Sequence, residues 1–223
     1  GWPTGWTRLL SGLVFSLGLI LVIVGGAELF TGNNLIVMAW AGRKVSTARL
    51  LRNWAIVYAG NFVGAVATAG IMFLSEQYTF SGGAIGLYAL TAANAKAGLH
   101  FIPALALGIM CNALVCLAVW LTYSARSTTD KILAIIFPIT AFVAAGLAHS
   151  VANMYYIPAA LLAHAAAPAS FWQAIHKTPA DFPNLTLANF AGNLVPVTLG
   201  NIIGGALMVG AVYWFVYLRK RAG

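Results

Sequence analysis

Charge is what this sequence has least of. Only 7% of its 223 residues are charged, and four of those are acidic, where an average soluble domain carries roughly 25%. That scarcity excludes a water-soluble fold. Cysteine is nearly absent too: Cys111 and Cys116 lie five apart inside one apolar block, which argues against a disulfide framework or a metal site and for two buried packing residues. Alternating segments of about 10 residues, the mark of an outer-membrane strand, are missing. So are a GxxxxGKS nucleotide loop, a metal-ligand cluster and a spaced nucleophile–base pair. No enzyme, cofactor or metal is expected.

What is present is apolar, 61% of the chain, and it falls in blocks of about 20 residues or more, the length needed to cross a hydrocarbon layer about 30 Å thick as helix. The fold class is therefore an all-α polytopic membrane protein. Five apolar stretches stand out: 9–40, 50–74, 101–123, 132–163 and 185–218. The net charge of +8 does not indicate nucleic acid, because the twelve Lys and Arg residues lie in short connections rather than along one face. If spans alternate, one side collects nine of them (Arg43, Lys44, Arg49, Arg52, Arg126, Lys131, Arg219, Lys220 and Arg221) and the other three (Arg8, Lys96 and Lys177). The positive-inside rule then puts the C-terminus in the cytoplasm and Gly1 outside. No cleavable leader is expected, since the N-terminus has no basic leader and its apolar stretch runs on too long.

The first and fourth stretches exceed one straight span, and each is interrupted by polar and helix-loosening residues. The interruptions are Gly25 to Asn34 and Gly146 to Asn153. Broken helices free backbone groups that lipid cannot satisfy, so they belong beside a cavity or pathway. The two align at an offset of 120, pairing Gly26 with Gly146 and Asn33 with Asn153. A second match follows at an offset of 140: Asn53, Val57, Gly60, Asn61 and Gly64 recur as Asn193, Val197, Gly200, Asn201 and Gly204. Equivalent elements are three spans apart, which makes this an inverted repeat within a single domain, residues 1–100 forming an incomplete first half and 101–223 the second. The second half has a full span before its broken helix, so a sixth helix is expected upstream, absent from this chain.

Few residues here can carry chemistry. His149 is the histidine within a predicted span, it sits at a break, and an imidazole exchanges a proton near neutral pH. A neutral histidine satisfied by backbone is the alternative reading. His100, His164 and His176 fall in connections or near span ends and read as solvated. Glu28 is the carboxylate within the spans, costly there without a partner or cavity, and is expected to cap freed N–H groups at its break. Asp130, four residues after Arg126, reads as a surface pair worth little. Thr31, Asn33, Asn153 and Asn201 offer neutral hydrogen-bonding groups that replace hydration without holding a solute too tightly, or else tie helices together. Phe15, Leu29, Phe30 and Phe142 are candidates for narrow apolar collars near the breaks, and Lys96 for raising local anion concentration on the outer side.

The segments AELFTGNN (27–34), NWAIVYAGNFVGA (53–65), CNALVCLAVWLTYSARSTTDK (111–131), AHSVANM (148–154) and NLVPVTLGNIIGG (193–205) resemble the formate/nitrite transporter family over about Leu9 to Arg219, and the third and last resemble its formate-channel branch. The resemblance implies an aquaporin-like six-helix protomer with its own pore, assembled as a homopentamer in the inner membrane. Residue by residue, it implies that Thr31 is the pore threonine, His149 the central histidine, Asn201 the asparagine near it and Lys96 a vestibule lysine. Phe15, Leu29 and Phe142 match constriction positions, while Asn33 and Asn153 stay structural. The chain departs from the family in lacking the first helix and in placing Ala148 where an acidic residue usually precedes the histidine.

The expected function is passage of small monovalent anions, formate first, with proton coupling through His149. An anion stripped of water in an apolar collar meets a solvation penalty its neutral acid largely escapes. Nitrite, hydrosulfide, acetate or lactate within the family, and a neutral-solute channel outside it, are the alternatives.

Overall fold

The computed structural model describes residues 3–219, so Gly1, Lys220 and Arg221 lie outside the described residues. Those residues form helices and connections with no strand among them. In chain order the helices are α1 (Thr4–Ile23), α2 (Val37–Ala41, entered through a 3-10 turn Gly32–Ile36), α3 (Thr47–Leu74), α4 (Ala84–Ala97), α5 (Phe101–Thr122), α6 (Thr128–Ala144), α7 (Ser150–Ala166), α8 (Ala169–Ala174) and α9 (Leu187–Ile202). The last runs on as wider π turns over Ile203–Ala211 and Trp214–Leu218. α1, α3, α5 and the whole stretch Leu187–Leu218 are long and apolar enough to cross a membrane.

Local sequence explains where these helices begin and stop. Ser46 Oγ accepts from Arg49 N at the start of α3, and Ser127 with Asp130 forms a reciprocal capping box at the start of α6. Asp130 also accepts from the backbone N–H of Arg126. It is thus spent on the helix start instead of pairing with the Arg126 side chain; among the described residues the ion pair is Lys177 with Asp181, 3.3 Å apart. α6 ends at Gly146, whose φ of +71° suits a residue without Cβ. There Gly146 N–H donates to Val143 and Leu147 N–H to Phe142, the paired bonds of a Schellman ending. Gly26, at +78°, takes the same left-handed conformation after α1, with its N–H donating to the Val22 carbonyl.

Two helices fall where the sequence indicates polar connections. α4, of 14 residues, is roughly 21 Å long at 1.5 Å per residue and too short to span. With α8 it builds a second apolar core of Leu90, Ile157, Phe171, Ile175 and Phe182. The main core joins α1, α5 and α6 through Leu19, Val115, Ile135, Ile139 and Phe142. α5 packs along α9, α1 along α6, and α3 and α4 against α7. Small residues let the helix pairs close up. A Cβ on Gly204 would stand 2.0 Å from the Ile109 carbonyl oxygen, and one on Gly12 would stand 2.8 Å from Thr140 Cα. Outward faces stay apolar: Val14, Val63, Leu74 and Phe137 are exposed, which fits surfaces covered by lipid or by another subunit.

Candidate functional site

The two breaks meet. Thr31, within the first, and His149, within the second, are 118 positions apart in sequence, yet Thr31 Oγ1 lies 2.9 Å from His149 Nε2. Both side chains are buried. His149 also caps α7, its Nδ1 accepting from Ala152 N–H at 3.1 Å. A neutral imidazole carries one N–H. With Nδ1 accepting, that hydrogen sits on Nε2 and is donated to Thr31 Oγ1, which leaves the threonine's own hydrogen free to be offered elsewhere. The ring is therefore a backbone cap on one edge and a hydrogen-bond donor on the other.

Aromatic rings adjoin this pair. The Phe15 and Phe142 rings meet edge to face with centroids 5.4 Å apart, and the Phe142 centroid is 6.1 Å from that of His149. Leu29 packs at the edge of the same core. Phe30 does not join them; it is buried against Trp54 and Tyr58 of α3.

Asparagines hold both breaks, and the hydrogen bonds of one reappear in the other. Asn61 Oδ1 accepts from Phe30 N–H at 2.9 Å and Asn61 Nδ2 donates to the Glu28 carbonyl at 3.0 Å. Asn201 Oδ1 accepts from Ser150 N–H at 2.9 Å and its Nδ2 donates to the Ala148 carbonyl at 3.1 Å. Adding 120 to a break residue and 140 to its asparagine carries the first set onto the second. Asn33 Nδ2 to Asn53 Oδ1, 3.0 Å, maps likewise onto Asn153 Nδ2 to Asn193 Oδ1, 2.8 Å. Tyr58 Oη and Thr198 Oγ1, equivalent at the offset of 140, bond each other at 3.0 Å.

Asn201 also donates to the Gly108 carbonyl at 2.8 Å. Its amide is spent on backbone, a bracing geometry. Glu28 caps no freed N–H group among the described residues. Its carboxylate takes the Asn33 amide instead, and both line a cavity of about 1140 Å³ shared with Arg43, Lys44, Trp214 and Arg219. Lys96 lies in the last turn of α4, and its carbonyl accepts from Asn193 Nδ2 at 2.8 Å. His164 belongs to the last turn of α7 and contacts the Pro179 carbonyl at 3.0 Å. Cys111 and Cys116 are free and buried.

The formate/nitrite transporter family model matches residues 2–215. The chain belongs to the formate/nitrite transporter family. It is 47% identical to the formate channel FocA of Escherichia coli (strain K12) over 219 residues, 98% of this chain and 77% of that one. It is 45% identical to the formate channel FocA of Haemophilus influenzae over 94% of this chain and 74% of that one. A solved structure described as a pentameric formate channel with formate bound superposes with a TM-score of 0.91 at 48% identity, covering 97% of this chain and 86% of that one.

Sequence reasoning missed one group in this family member. Asn112, in the middle of α5, is fully buried; it reaches the first break directly and the second through Asn201 of α9. Its signal is an amide in an otherwise apolar span, a residue type kept there only with partners. Ser150 Oγ and Asn153 Oδ1 are buried without a partner among the described residues.

Proposed function

We propose that this chain is a protomer of a homopentameric formate channel in the inner membrane, with its pathway running past Thr31 and His149. The observation that carries the reading is the Thr31–His149 contact, which converges two breaks far apart in sequence on one buried polar point beside an aromatic collar. The identity to formate channels supports formate as the solute. The free hydroxyl hydrogen of Thr31 is offered to the anion, and His149 supports that hydroxyl from behind. When the ring takes a second proton from water at Nδ1, releasing Ala152 N–H, it passes the Nε2 proton through the Thr31 hydroxyl to the anion and returns to the neutral form. The anion then crosses the collar of Phe15, Leu29 and Phe142 as the neutral acid, at far lower desolvation cost. Asn201, Asn33, Asn153 and Glu28 shape the breaks, and Phe30 anchors the first one to α3.

The cavity with Arg43, Lys44 and Arg219 is the cytoplasmic vestibule, on the side richer in basic residues, and Lys96 serves the outer side. The two halves cross the membrane in opposite directions, which the paired hydrogen bonds at matched offsets support. The test is uptake of formate, nitrite and hydrosulfide into proteoliposomes, compared for the wild type and Thr31→Val. Removing the hydroxyl at nearly constant volume lowers formate flux about tenfold, the scale of one hydrogen bond. Unchanged flux for all three anions refutes the assigned site. Mass measurement in mild detergent is expected to give five protomers.

A further inference from the structure

The Thr31 hydroxyl is useful only if the backbone beneath it is held, and that backbone lies within a break. Its carbonyl accepts from Asn112 Nδ2 at 3.2 Å and from Cys116 Sγ at 3.4 Å, both from α5. The same Asn112 nitrogen lies 2.7 Å from the Asn201 carbonyl and 2.9 Å from Asn34 Oδ1. Two of these three partners are backbone carbonyls, which only accept, so the side-chain orientation is fixed by its surroundings. Asn201 in turn holds both backbone groups flanking His149, Ala148 C=O and Ser150 N–H.

We propose that Asn112 is a positioning residue that fixes the Thr31 hydroxyl against the His149 ring by bracing the two breaks to each other. A second feature is built around the same amide. α9 changes from α to π turns at Ile203, and such widenings concentrate at functional sites. Just beyond the change, Gly205 leaves the space the amide occupies: a Cβ there would stand 2.3 Å from Asn112 Nδ2 and 2.8 Å from Cys116 Sγ. Gly205 is therefore the steric half of the brace. An added methyl displaces the amide without removing any hydrogen-bonding group.

The inference rests on the reading of Thr31 as the pathway hydroxyl, and the test separates the two. Asn112→Leu and Gly205→Ala are each made in the wild-type and Thr31→Val backgrounds, reconstituted as the full chain, and assayed for formate uptake. If the brace acts through Thr31, each lowers uptake about tenfold in the wild-type background, the scale of one lost hydrogen bond, and less than about twofold where the hydroxyl is already gone. Equal losses in both backgrounds mean a merely structural role and overturn the proposal. The second readout needs no transport: the ring-nitrogen NMR resonances of His149, identified by their disappearance in His149→Asn. Both brace variants are expected to shift the Nε2 signal, and an unmoved signal in either overturns the proposal. Should Asn112→Leu fail to assemble, Gly205→Ala decides alone. Should Thr31→Val leave uptake unchanged, the pathway reading falls, and the His149 resonance still decides the brace.

Discussion

Replacing His149 by Asn and by Leu separates its two bonds. Asparagine is among the best N-cap residues, and its short side chain accepts from the N–H groups of the first turn. His149→Asn therefore keeps the start of α7 while losing reach to Thr31 Oγ1, now 2.9 Å away. The cost is a buried hydroxyl without its partner, about 1–3 kcal/mol. His149→Leu loses that bond and also the cap on Ala152 N–H, a further loss of about 1 kcal/mol. Thr31→Val combined with His149→Asn recovers part of the first cost, since the buried hydroxyl is then gone. Thermal unfolding in detergent, followed by tryptophan fluorescence, ranks the wild type first, His149→Asn next and His149→Leu last. Formate uptake across a pH series is read on the same preparations. An amide does not titrate, so His149→Asn is expected to flatten the pH dependence while leaving some anion leak. If His149→Leu is as stable as His149→Asn, the ring is no cap. If His149→Asn keeps the wild-type pH profile, the ring relays no proton.

Three further outcomes follow from geometry. Asn201→Leu strands Ser150 N–H and the Gly108 and Ala148 carbonyls in a buried site, a loss on the order of 4 kcal/mol; Asn61→Leu, at the more exposed break, costs less, and the reverse order by thermal unfolding refutes the burial argument. Ala148 is packed among Ala104, Val197, Leu99 and Leu107, so Ala148→Glu places a carboxylate where nothing receives it and costs about 3 kcal/mol or more; pentamer yield and apparent Tm fall, and a fully stable variant refutes this. Asp181 has its carboxyl held below the usual range by the Thr178 backbone N–H, then by the Thr178 hydroxyl and Lys177. A depressed folded-state value stabilises the turn above the unfolded value of about 3.9 and loses that contribution as pH falls through the folded value. The hydrogen-exchange protection factor, corrected for the intrinsic pH dependence of exchange, is therefore expected in the 178–186 segment to be level above about pH 5 and to fall below it, and a fall beginning near neutrality contradicts the assignment.

The breaks are legible in the sequence because their causes are local. Paired glycines and asparagines inside an apolar stretch loosen the helix at that point whatever surrounds it, and the structure gives Gly26 and Gly146 matching positive φ values. The partners of those residues are not legible. Glu28 is expected on backbone and sits on the Asn33 side chain, and Asp130 is expected on Arg126 and closes a capping box. In both cases the residue type fixes the need for a donor, and only the fold chooses which. Asn112 is hidden in the sequence because its partners come from two segments, 31–34 and Asn201, each about 80 or more residues away. α4 is hidden because AIGLYALTAANAKA mixes small and polar residues without a clear apolar stripe.

The Tyr58–Thr198 bond has a meaning for the descent of the two halves. On the proposed inverted repeat, a residue bonded to its own counterpart stands astride the axis that relates the halves, since the midpoint of any such pair lies on that axis. In an assembly of two identical copies, each position on the axis faces itself, like against like. Tyrosine opposite tyrosine at a separation of 3.0 Å would crowd two rings into the seam, and threonine opposite threonine would leave it underfilled. A large residue against a small one fills it once. That choice is open only to a chain that carries both halves, because a single substitution can then alter one side of the seam without altering the other.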